Sequence, residues 1–154
     1  MVGMVRTAIA AALLLTAGMV AGCGSERAAR SLDGTSWQLV SIQSMDDAQG
    51  TTSVPDPSKF TVTFGGPGDQ KGRATLQLDC NRGNGSYEAK AADDGTSGSL
   101  TFGPIATTRM ACSPPSLDQQ VGTALSNVRS YLFADGKLHM SLLADGGILS
   151  WKPA

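Results

Sequence analysis

The side chains of this chain with chemistry to offer are few. They are Cys23, Cys80 and Cys112, the lone His139, and Asn81, Arg82 and Arg109, which lie close to the two later cysteines. Cys80 and Cys112 can join as a disulfide, remain structural free thiols, or work with His139 as a nucleophile or a zinc site. The last two readings lack parts. Two sulfurs and one imidazole fall short of the four ligands of a structural zinc, and His139 falls in a strand pattern instead of beside a cysteine. No Ser/His/Asp set can be assembled, because serines are plentiful but only one base exists. A guanidinium at Arg109 can hold a ligand's carboxylate or phosphate in a bidentate pair. Without a ligand, it would bond backbone carbonyls of the loop that crosses toward the following helix. Asn81 and Arg82 are ligand-binding candidates of the same kind, and their alternative is turn formation, since Asn tolerates left-handed geometry. No catalytic residue, metal ligand or cofactor is expected. His139 alternates with Leu138 and Met140, which puts it on a solvated polar face.

These residues must be positioned mainly by strands. Trp37, Leu39 and Ser41 alternate with Gln38, Val40 and Ile42, and a period of two recurs in Phe60/Val62/Phe64 and Ala74/Leu76/Leu78. Gly65-Gly66-Pro67-Gly68-Asp69 reads as the hairpin loop between the last two. It is no phosphate cradle, because neither a Gly-Lys-Ser/Thr ending nor a helix pattern follows. Further strands are expected at Ser86 to Lys90 and Gly98 to Phe102, split by a polar turn through Asp93-Asp94-Gly95. Asp46-Asp47 and Asp93-Asp94 match no calcium loop and serve to keep loops wet. Tyr131/Phe133, Leu138/Met140/Leu142 and Leu149/Trp151 form closing hairpins around Asp135-Gly136 and Asp145-Gly146-Gly147. All eight aromatics fall in these strands, so sheets are expected to build the core.

One helix is expected between Pro114 and Arg129, where Leu117, Val121, Ala124, Leu125 and Val128 recur at helical spacing, with Ser116 and Gln119 as a capping box. Gly122 costs this helix about 1 kcal/mol relative to Ala, so it should depend on packing against the sheet. The predicted fold is mainly β (α+β): an antiparallel sheet curled into a small barrel or sandwich with one packed α-helix.

The N-terminus reads as an address. Arg6 precedes the apolar run Thr7 to Thr16, and small residues lead to Val20-Ala21-Gly22-Cys23. The run is shorter than the ~20 residues of a membrane-spanning helix and is followed by Gly18, which favours a signal peptide. The Val-Ala-Gly-Cys segment resembles the lipobox of bacterial lipoproteins, which implies cleavage before Cys23 and a lipid (diacylglyceryl, palmitate-type) anchor on its sulfur. More than one acyl chain gives stable attachment. The expected organisation is therefore 1–22 signal peptide, 23–31 lipidated N-terminus and linker, and 32–154 folded domain. Gly24 to Ser31 spans no more than roughly 30 Å when extended, so the domain would sit close to its membrane. Export makes the Cys80–Cys112 disulfide the default reading, closing a loop of about 33 residues worth roughly 3 to 4 kcal/mol. Asn84-Gly85-Ser86 matches a glycosylation acceptor, but a bacterial lipoprotein signal argues against its use. With 12 Lys+Arg against 13 Asp+Glu and no basic run, a nucleic-acid partner is not expected.

Cys80-Asn81-Arg82 with Gly85-Ser86-Tyr87, and Leu100-Thr101-Phe102-Gly103-Pro104 running through Thr108-Arg109-Met110-Ala111-Cys112, carry a family pattern. Together with Leu32-Asp33-Gly34-Thr35-Ser36-Trp37 and Tyr131, Leu138 and Trp151, they resemble the META domain, the HslJ-like family of secreted and envelope proteins. Two positions depart from that pattern: Asp79 stands where the family usually has glycine, and Gly83 where it usually has an aromatic. The resemblance implies a compact β fold with one helix. It also implies association with envelope stress, resistance to toxic compounds or, in parasites, secretion and motility, without an established catalytic site. The expected protein is a monomeric, non-catalytic lipoprotein of the cell membrane or outer membrane, facing the periplasm or exterior. It would support envelope integrity or stress tolerance by binding an envelope protein. A small-molecule-binding barrel is the alternative, and a thiol-dependent envelope enzyme a further one.

Overall fold

The computed structural model describes residues 30–46, 48–65 and 72–154. The signal peptide, Cys23 and most of the Gly65–Asp69 loop lie outside the described residues. Ten strands and one helix follow in order: β1 (Ser36–Gln43), β2 (Thr51–Ser53), β3 (Phe60–Phe64), β4 (Arg73–Leu78), β5 (Asn81–Ala91), β6 (Ser97–Phe102), β7 (Ala106–Thr107), α1 (Asp118–Ser126), β8 (Val128–Ala134), β9 (Lys137–Leu142) and β10 (Ile148–Pro153). Strands β1, β3, β4, β5, β6, β8, β9 and β10 pair antiparallel in that spatial order, and β10 returns to pair with β1 from Trp37↔Pro153 to Gln43↔Ile148. The sheet therefore closes into a barrel rather than splitting into a sandwich, which removes its long free edges.

The alternation that marks these strands in sequence is the lumen of the barrel. Val62, Phe64, Leu39, Leu76, Leu100, Leu138, Met140, Leu149 and Trp151 are fully buried within it, and all eight aromatics are buried. Aromatic pairs knit the core, with Phe64 edge-on to Tyr87 at 4.9 Å and Tyr131 edge-on to Phe133 at 5.4 Å between centroids. In β1 the expected parity fails halfway. A register shift between Leu39 and Ser41 opposite β10 turns Ile42 inward in place of Ser41, because a bulge inserts one residue and reverses every face beyond it.

The barrel has two unlike ends. The chain enters at one: Arg30 N donates to Gly95 O in the β5–β6 turn, and Arg30 lies 5.8 Å over the Phe133 ring. The β8–β9 turn is also here, with Asp135 (φ 52) and Gly136 (φ 70) in the left-handed geometry an Asp-Gly hairpin requires. Tyr87 Oη donates to Asp33 Oδ1 at 3.0 Å across this entry end. The other end holds the β4–β5 turn, β7, the loop to α1 and the β9–β10 turn, and α1 plugs it with buried Val121, Ala124 and Leu125.

The helix is shorter than the periodicity indicates. It begins at Asp118 after Leu117, whose side chain makes no cap, so the expected Ser116–Gln119 capping box does not form. Ser116 Oγ instead accepts from Asp118 N at 3.3 Å and donates to Asp118 Oδ1 at 3.0 Å. Val128 belongs to β8, where burial rather than helical phase explains its apolar character.

Candidate functional site

The helix end carries the residues singled out for chemistry. Cys80 and Cys112 form a disulfide, Cα to Cα 5.5 Å, which ties the β4–β5 turn to the loop leading into α1. Asp79, just before it, adopts φ 56, the left-handed region glycine enters freely and Asp tolerates. Its N–H donates to Lys59 O at 2.7 Å, and its carboxylate pairs with Lys59 Nζ at 3.3 Å. The residue that stands in place of the family's usual glycine thus takes up a backbone geometry that glycine enters freely.

Asn81 points inward and is 4% exposed. Its Nδ2 donates to Met110 O at 3.0 Å and Asp118 Oδ2 at 3.1 Å, while its Oδ1 accepts from Thr108 Oγ1 at 2.9 Å and Met110 N at 2.7 Å. Two donors and two acceptor positions exhaust a carboxamide. Asn81 is thus a brace that locks the Thr108–Met110 segment and the start of α1 to β5, with nothing left over for a ligand. Arg82, the next residue on the strand, is exposed on the opposite face. Thr108 fixes it from the backbone side, donating its N–H to Arg82 O at 2.9 Å and accepting from Arg82 N at 3.0 Å.

Arg109 is exposed and, among the described residues, makes no side-chain hydrogen bond or ion pair. The ligand-free expectation that it would bond loop carbonyls is not met, because Asn81 and Thr108 already hold the loop and leave Arg109 facing solvent. It borders a cleft of about 620 Å³ between the β7 segment and α1, with Leu78, Ile105 and Gly122 among the residues that line it. That volume lies within the roughly 300–1,000 Å³ of ligand clefts. Asn81 and Arg109 meet at this cleft; Arg82 does not reach it.

Strand β7 was not legible in the sequence, and β5 runs longer than the Ser86 to Lys90 expected. Asn81-Arg82-Gly83-Asn84-Gly85 looks like turn composition. The glycines are needed because the returning chain presses on them. A Cβ at Gly83 would lie 2.9 Å from Thr107 Cγ2, and one at Gly85 2.9 Å from Pro104 O. Gly83 thus admits Ile105 and Thr107 where an aromatic would collide with them.

His139 sits on the outer wall, half-buried, with Nδ1 3.0 Å from Ser150 Oγ across the β9–β10 pair. Among the described residues no carboxylate hydrogen-bonds this imidazole, and no group of three His, Cys, Asp or Glu side chains is gathered for a metal. At the entry end, burial and then the Asp33 carboxylate push the Tyr87 phenol up to about 12.

Comparison with known proteins places this architecture. A protein from Burkholderia xenovorans solved by NMR is 28% identical, with 80% of this chain and 83% of that chain aligned at a TM-score of 0.62. A DUF4847 family protein from Bacteroides vulgatus ATCC 8482 shares the fold at 14% identity and a TM-score of 0.53, over 79% of this chain and 93% of that one. Among curated proteins, none matches this chain. The family model described as META domain matches residues 30–153, which spans the whole barrel, its helix and the disulfide, and the chain belongs to the META domain family.

Proposed function

We propose that this chain is a non-catalytic META domain lipoprotein of the cell envelope, anchored by lipid on Cys23. It contributes to envelope integrity or stress tolerance as a monomeric module that binds a partner. The observation that carries the reading is the Cys80–Cys112 disulfide, which belongs to an oxidising compartment. The signal-like run and Val20-Ala21-Gly22-Cys23 supply the route to such a compartment. With both later sulfurs bonded, no thiolate is available as a nucleophile in this form of the protein. Residue 30 enters at the end of the barrel opposite α1, so the cleft and the point where the tether would join lie at opposite ends of the domain, on either the cell membrane or the outer membrane.

The decisive experiment is fractionation of Cys23→Ser. The wild-type chain is expected in the membrane fraction with the mass of a lipidated chain starting at Cys23, and the variant in soluble or unprocessed form. A variant that stays in the membrane at unchanged mass would overturn the tether. Thiol counting in denatured, unreduced mature protein is expected to give none, and an alkylatable thiol would favour a thiol enzyme. Small-molecule binding is the second reading, favoured by the cleft beside Arg109. It would appear as a thermal shift with envelope metabolites, since ligand at 100 times its Kd stabilises by about 2.7 kcal/mol.

A further inference from the structure

The cleft between β7 and α1 has a wall that a small molecule does not need. Thr108 N donates to Arg82 O, Met110 N to Asn81 Oδ1, and Ala106 pairs with Asn84, so the backbone groups of residues 106, 108 and 110 face β5. In an antiparallel ladder the alternate residues face the other way. Thr107, opposite Gly83 but between the bonded residues 106 and 108, therefore turns its N–H and C=O away from β5, and Arg109, just past the end of β7, makes no backbone hydrogen bond among the described residues, so the two form an edge with no strand partner there. This short edge beside the cleft is held in place by the Cys80–Cys112 disulfide and by the Asn81 carboxamide.

The facing wall is a helix stripe of Gln119, Gly122, Thr123 and Ser126, whose i, i+3, i+4, i+7 spacing sets it on one side of α1. Gly122 has no packing reason to be glycine. Its φ is ordinary, and a Cβ there would rest 3.6 Å from Leu78 Cδ1, a normal contact. A mid-helix glycine weakens the helix, yet its missing side chain keeps the cleft floor open. Arg109 supplies at the rim a guanidinium that makes no ion pair among the described residues. The Asp118 carboxylate is already engaged by Asn81 and Ser116.

We propose that this cleft is a peptide-binding site in which an extended, acidic segment of a partner protein adds as a strand to the edge at Thr107 and Arg109. The partner's backbone bonds the free N–H and C=O groups of that edge, a small or apolar side chain settles over Gly122 against Leu78 and Ile105, and a carboxylate pairs with Arg109. This mode gives affinity through main-chain bonds and specificity through alternate side chains. The inference deepens the partner-binding reading above and rests on it for its biological setting.

The test is selection of random octapeptides displayed on RNA against the oxidised mature chain in detergent, followed by direct binding of the enriched peptides. Enriched sequences are expected to be extended and to carry an acidic residue. N-methylation of alternate peptide amides should abolish binding, while methylation of the intervening amides should leave it intact. Arg109→Ala is expected to weaken binding about tenfold and Arg109→Glu more, as loss of a charge-assisted pair requires. Gly122→Ala is expected to keep or raise Tm while lowering affinity, and Gly122→Leu to block the cleft. No enrichment above the Gly122→Leu chain, or binding indifferent to backbone methylation, would overturn the proposal. Membrane retention of the same wild-type preparation is scored in parallel. A failed tether with intact peptide binding, and the reverse, are thereby told apart.

Discussion

Asn81 joins three stretches of chain through one carboxamide, so its removal strands several buried partners at once. Asn81→Ala is expected to lower stability by about 2–4 kcal/mol, read as a shift in the urea midpoint at unchanged m-value. Asn81→Asp should do worse at neutral pH, because the new carboxylate would face Asp118 Oδ2 and Met110 O, where the amide now donates. At the opposite end, Tyr87 carries a phenol raised to about 12, with burial as the larger cause and Asp33 the second. A group raised in the folded state stabilises fully below its unfolded pKa of about 10 and loses that contribution as pH rises through the folded value. Stability should therefore fall between about pH 10 and 12, and Tyr87→Phe should flatten that fall in Tm measured across the range. Some slope should remain from Tyr131, whose phenol is also raised by burial and by Asp94.

Among the elements, α1 and the segment before it depend on neighbours more than on local propensity. The helix has nine residues, a glycine in its middle and no side-chain N-cap, too little to persist alone. Its stability comes from Val121, Ala124 and Leu125 in the barrel end and from the disulfide that fixes the loop ahead of it. Reducing Cys80–Cys112 is expected to cost about 3–4 kcal/mol in the chain-entropy model. Hydrogen exchange should quicken first between Thr108 and Cys112, because the Cys80 N–H and Asn81 Nδ2 contacts to Cys112 Sγ loosen with the bond. Faster exchange confined to β1 and β10 instead would contradict that order. The strand alternations were legible wherever one face packs the lumen, as in β3 and β4. They misled where a bulge intervenes in β1, and where β5 carries glycines for a neighbour the local sequence cannot reveal.

For the whole molecule, closure is the decisive feature. The last strand pairs with the first, and Trp151, fully buried, sits where β10 meets both β1 and β9. Trp151→Ala is expected to cost about 3–5 kcal/mol in chemical denaturation. A comparable truncation at exposed Met45, on the loop leaving β1, should change little. Closure also fills the lumen with side chains, so a ligand site in this barrel has to lie outside it, and the helix-end cleft is such a place.

Legible from the amino-acid order alone were most of the long strands, the approximate helix, the pairing of Cys80 with Cys112 and the likeness to the META family. The strands and helix are written in local periodicity, the disulfide in the count of cysteines left after an export signal, and the likeness in short motifs along the domain. What emerges only in three dimensions is that the sheet closes, that Asn81 is exhausted by its own protein while Arg109 has no side-chain partner among the described residues, and that β7 offers an edge beside Gly122. Those outcomes depend on contacts between residues some thirty positions apart, such as Asn81 with Met110 and Asp118, which no local pattern records.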